Sequence, residues 1–71
     1  MSYTLRPCRY VSQNEVEVCD RQDADLFTIY RVNPDGTEQA CIDYEFDDSH
    51  QAIDQWRNAN RELERLNGGS R

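Results

Sequence analysis

Lysine is absent from the chain; all eight basic residues are arginine, set against fourteen acids for a net charge of −6. That deficit of positive charge argues against unaided binding to DNA, RNA or an anionic membrane, since each draws on basic side chains. Long apolar runs are missing too, and none approaches the roughly 20 residues needed to span a bilayer. Residues 1–11 hold Arg6, Pro7 and Arg9 and no apolar h-region, so a secretory leader is not expected. Cysteine is sparse and unpaired in pattern: Cys8, Cys19 and Cys41 form no CxxC and cannot all pair with one another. Free thiols in a reducing cytoplasm are the expectation.

The chemistry-bearing residues are equally thin. His50 is the only histidine, and its wide separation from the three cysteines argues against a Cys3His zinc site. Neither an EF-hand nor a P-loop occurs, and a Cys–His nucleophile pair has no orienting partner in view. The 71 residues can hardly wall a concave catalytic pocket. The expectation is a protein without enzymatic activity, cofactor or bound metal.

What is present points to a small ordered domain. Four Tyr, two Phe and one Trp supply anchors that disordered chains lack. Asn33-Pro34-Asp35-Gly36 is a type I turn followed by a left-handed glycine. Extended segments flank it at 26–32 and 38–46, which predicts a β-hairpin. A regular register from that turn sets Tyr30 opposite Ala40 and Thr28 opposite Ile42. Leu26, Thr28, Tyr30 and Val32, with Ala40, Ile42, Tyr44 and Phe46, then make the core face. Phe27, Ile29 and Arg31, with Gln39, Cys41, Asp43 and Glu45, make the outer one.

Upstream, 14–20 alternates Glu15, Glu17 and Cys19 against Val16 and Val18, the pattern of a half-buried strand. A further short strand is predicted over 8–11, with Pro7 at its start or edge. Downstream, Asp48 or Ser49 can cap a helix whose stripe is Ile53, Trp56, Asn60, Leu63 and Leu66, widened by Ala52 and Ala59. Gly68-Gly69 ends it. The predicted fold is α+β: a three- or four-stranded antiparallel meander with one C-terminal helix packed on one face, compact over 1–67 and with a tail at 68–71. Trp56 is expected to be buried against Tyr30, Ile42 and Tyr44.

Charge is uneven along this layout. Residues 15–48 hold eleven acids and two arginines, a net of −9, whereas the rest of the chain is +3. Same-face pairs such as Glu15/Glu17 and Asp43/Glu45 stand roughly 6.5–7 Å apart along a strand. Such rows can take the place of backbone phosphates before an arginine-lined groove. Phe27 and Ile29, read as an apolar patch rimmed by these acids, complete a partner-binding surface with Phe27, Ile29, Asp43, Glu45, Glu15 and Glu17 as its residues.

This combination of residues, the 15–48 acid set and the Phe27/Ile29 patch on a short sheet-plus-helix chain, is similar in composition and layout to the small phage-encoded inhibitors, among them anti-CRISPR proteins. The resemblance implies a non-enzymatic inhibitor that docks on the basic nucleic-acid-binding surface of a host complex. The expected partner is therefore a basic protein or nucleoprotein complex, reached without direct contact to nucleic acid or membrane. The alternative reading is a self-associating accessory domain that buries a sheet edge or the outer sheet face in a homodimer.

Overall fold

The computed structural model describes residues 2–68. Four strands, β1 (Ser2–Ser12), β2 (Glu15–Val18), β3 (Leu26–Val32) and β4 (Glu38–Glu45), precede one helix, α1 (Ala52–Leu66). A 3-10 turn at Arg21–Asp23 links β2 to β3. The sheet is antiparallel throughout, in the order β2-β1-β3-β4. The α+β class predicted from the sequence holds, with β3 lying beside β1 rather than beside the strand before it. Beyond Gly68, the tail expected at 68–71 lies outside the described residues.

The turn between β3 and β4 is built from its own side chains. Asp35 Oδ1 accepts the backbone N–H of Thr37 at 3.0 Å and its hydroxyl at 2.7 Å. The Gly36 N–H donates to the Asn33 carbonyl at 2.9 Å, with Gly36 at φ 91°, a conformation that only glycine adopts without strain. Tyr30 pairs with Ala40, as the regular register requires. One residue later the register slips, and Ile29 pairs with Ile42, leaving Cys41 as the extra residue of a β-bulge.

That bulge exchanges the two faces. A one-residue slip turns every later side chain of β4 over, so Thr28 meets Asp43 and Phe27 meets Tyr44. Ile42 and Tyr44 thereby join Phe27 and Ile29 instead of opposing them. With β1 beside β3, two rungs cross three strands: Leu5–Ile29–Ile42 and Pro7–Phe27–Tyr44. The helix packs on this side, against β1, β3 and β4. Phe27 and Ile29 are 1% and 0% exposed. Phe27 sits edge-on to Trp56 at 4.9 Å and to Phe46 at 5.1 Å between ring centroids. The expected core face and outer face are thus interchanged on β3, and Trp56 packs on Phe27 rather than beside Tyr30.

Two further differences have local causes. β1 is far longer than the predicted 8–11 segment, because Pro7 costs no ladder bond with β3. Its carbonyl accepts the Cys19 N–H at 3.0 Å, so its nitrogen faces the end of β2. The helix starts at Ala52, later than the caps read at Asp48 or Ser49. Asp47 Oδ1 instead takes the N–H groups of Ser49 at 2.8 Å and His50 at 2.6 Å, closing a turn of its own. Asp54 then accepts the Gln51 N–H at 3.3 Å as the reciprocal half of a capping box. The helix is pinned at both ends. Gln55 Nε2 donates to the Glu45 carbonyl at 2.7 Å, and the Asn67 amide brackets Tyr3, accepting its N–H at 2.9 Å and donating to its carbonyl at 3.1 Å.

Candidate partner-binding surface

Among the described residues no helix covers the other face of the sheet, which is clothed by its own long side chains. The rungs there are Val18–Cys8–Leu26–Glu45 and Arg6–Thr28–Asp43. Cys8, Leu26 and Thr28 are fully buried although no second layer of described residues lies over them. Tyr10 reaches from β1 across β3 to hydrogen-bond Glu45 on β4, lying over Leu26. Arg6 crosses the same strand to Glu38 and donates from Nε and Nη2 to both carboxylate oxygens at 2.8 Å. Thr28 donates its hydroxyl to Asp43 at 2.9 Å, and the Asp25 carboxylate accepts the Tyr10 N–H at 3.1 Å.

These contacts hold four carboxylates in fixed directions but neutralise only one. Glu38 is paired with Arg6, whose hydrogen bonds hold its carboxyl below the ordinary value of 4.5. Asp25, Asp43 and Glu45 accept from uncharged donors, and none has an ion-pair partner among the described residues. Their negative charge is therefore positioned and uncompensated. The hydrogen bond to Glu45, more than burial, pushes the Tyr10 phenol up to about 12. Burial is the main cause for Tyr30, also at about 12, whose hydroxyl lies 3.6 Å from the Cys8 thiol.

The same face carries an exposed apolar group, on β1 and β2 across the sheet from the acids of β4. Tyr10, Val16 and Val18 are 46%, 39% and 52% exposed, and all three project from the helix-free face. The alternation of Val16 and Val18 along β2 is plain in the sequence, but which side the helix leaves open is not.

The six residues expected to form one surface are divided. Asp43 and Glu45 stand together on the helix-free face. Phe27 and Ile29 are buried on the opposite face, so they cannot meet a partner without unfolding. Glu15 and Glu17 belong to the helix side of β2, where Glu17 pairs with Arg9 at 2.6 Å. The apolar part of the surface is supplied by Tyr10, Val16 and Val18 in place of Phe27 and Ile29.

A concavity of ≈ 640 Å³ lies between the Arg21–Asp23 turn and the start of α1, lined by Asp20, Arg21, Gln22, Phe27, Ala52 and Ile53. The Arg21 guanidinium stacks 4.1 Å above the Trp56 ring at its border. Cys8 is buried, Cys19 half-buried and Cys41 exposed, and all three thiols are free. Among the described residues no three His, Cys, Asp or Glu side chains converge in a metal-holding group. None of the described helices is long and apolar enough to cross a membrane. No protein-family model, curated protein or solved structure matches the chain.

Proposed function

We propose that the chain is a non-enzymatic protein-binding module whose helix-free sheet face docks on a basic, nucleic-acid-binding surface of a partner and excludes nucleic acid from it. The observation that carries this reading is the pair of uncompensated carboxylates, Asp43 and Glu45, each oriented by a hydrogen bond on the same sheet face as exposed Tyr10, Val16 and Val18. Fixed acids of one sign steer a basic partner and set its orientation. The tyrosine and valines supply the desolvated contacts in which binding energy concentrates. Because the acids are already oriented, little side-chain entropy is lost when the partner arrives. The shared spacing of Asp43 and Glu45 along β4, roughly 7 Å, suits an arginine-lined groove that ordinarily holds phosphates.

The test begins with capture of a partner at low salt from a host extract, followed by titration of that purified protein. A basic protein is expected, bound with a steep salt dependence and displaced by duplex nucleic acid. Asp43→Asn with Glu45→Gln should slow association and flatten the salt dependence, and Val18→Ser should speed dissociation. Arg57→Gln with Arg61→Gln, on the exposed side of α1, should change neither. A neutral or acidic partner, binding indifferent to salt, or dependence on the arginines alone would refute the reading.

A further inference from the structure

The strand order leaves β4 at one edge of the sheet, with eight residues and a backbone flank that no other described strand pairs. Every second N–H and C=O of an edge strand points away from its neighbour and is open to another strand. Edges of this kind are usually guarded by lysine, proline or irregularity. β4, Glu-Gln-Ala-Cys-Ile-Asp-Tyr-Glu, contains no proline and no basic residue, and its one irregularity is the bulge at Cys41. β2, at the other edge, has four residues and meets the irregular end of β1. The Glu45 carbonyl is taken by Gln55, so the available flank of β4 ends at Tyr44.

The side chains along that flank specify what can pair with it. On the helix-free side β4 presents Glu38, Ala40, Asp43 and Glu45; on the helix side, past the bulge, it presents half-buried Ile42 and Tyr44. Residues paired across an antiparallel ladder share a face. A second copy joined edge to edge through a two-fold axis would therefore set acid against acid on the helix-free side, which disfavours the pairing. An incoming strand with basic residues at alternate positions meets Asp43 and Glu45 instead, and apolar residues between them meet Ile42 and Tyr44. Charge complementarity thus selects a basic partner over a second copy of the chain.

We infer that β4 is a template for strand addition and that the partner contributes an extended segment alternating basic and apolar residues. This inference rests on the partner-binding reading above and deepens it by naming the segment that is bound. Backbone hydrogen bonds to β4 supply affinity that does not depend on sequence, and the alternation supplies specificity. Asp43 and Glu45 lie where the added strand joins the helix-free face, so strand and face form one continuous surface.

The experiment uses the intact chain and a dye-labelled octapeptide alternating arginine and valine, followed by fluorescence anisotropy at low salt. Two further peptides carry N-methyl groups on alternate amides, in the two opposite frames. One frame blocks the amides that face β4 and should weaken binding by at least about tenfold, as loss of two or more backbone hydrogen bonds implies. The other frame should bind nearly as well as the parent. Saturation with the parent peptide should also slow alkylation of exposed Cys41, with buried Cys8 as the internal reference. Equal binding in both frames, or Cys41 alkylation unchanged at saturation, overturns strand addition and leaves the partner-face reading standing. Failure of all three basic peptides to bind overturns both.

Discussion

Replacing Phe27 by alanine separates the observed packing from the arrangement read off the sequence. If Phe27 stood on an outer face, its removal would weaken partner binding and spare the fold. In the structure it is 1% exposed and touches Trp56 and Phe46 edge-on. Truncating a buried Phe costs about 3–5 kcal/mol, and with two aromatic pairs lost the value should fall in the upper half of that range. A domain of this length has only about 4–10 kcal/mol in hand. Phe27→Ala should therefore be largely unfolded or close to it, while Phe27→Leu, which keeps most of the volume, should fold. Urea melts followed by Trp56 fluorescence and by far-ultraviolet circular dichroism measure the loss directly. A cooperative melt with Phe27→Ala destabilised by less than about 1.5 kcal/mol, well under a buried Phe's cost, would contradict the placement of Phe27 beneath the helix.

Three other outcomes test the ties that hold the sheet and helix together. Glu38→Gln should flatten the acid limb of stability: the folded carboxyl titrates below its ordinary 4.5, so its contribution is present above that value and lost as pH falls beneath it. Denaturant midpoints taken between pH 3 and 6 check this, and a parallel fall in wild type and variant would refute it. Tyr10→Phe should reduce alkaline sensitivity, because the phenol titrates near 12 in the folded chain against 10.0 when free. The stabilisation is therefore present below 10 and lost as pH rises through about 12; melts across that window should show a shallower decline in the variant. Asn67→Ala removes both bonds to Tyr3 and should cost about 1–2 kcal/mol, with faster exchange of the Tyr3 amide. Unchanged Tyr3 exchange would place the end of α1 elsewhere.

Much of the fold was legible because its signals are local. Pro34, Asp35 and Gly36 specify their turn whatever surrounds them, and the turn brings Tyr30 opposite Ala40. The helix stripe around Trp56 and Ala59, and its termination at Gly68 with φ 76°, follow from spacing and from glycine's freedom. The bulge at Cys41 was not legible. Both registers of β4 give an alternating pattern, and the choice is made by tertiary packing: only the bulged register gathers Phe27, Ile29, Ile42 and Tyr44 under one helix. The regular register sets Asp43 and Glu45 on the side of Phe27, whereas the bulge puts them on the face of Tyr10, Val16 and Val18. The length of β1 is hidden for a related reason. Arg6, Pro7 and Arg9 obscure its alternation, and Arg6 lies over the sheet because Glu38, thirty-two residues away in sequence, receives it.

The proposed partner surface is tested most directly by following every backbone amide of the isotopically labelled chain during titration with the arginine–valine octapeptide. At low salt the resonances of Ala40, Ile42, Asp43, Tyr44 and Glu45 on β4, and of Tyr10, whose hydroxyl bonds Glu45, should shift together. Those of Arg57 and Arg61 should stay in place. The shifts should fade as ionic strength rises past about 0.1 M, where the screening length falls to about 10 Å. Perturbations confined to the exposed side of α1, or to the groove beside Trp56 and Ile53, would contradict the assignment of the helix-free face.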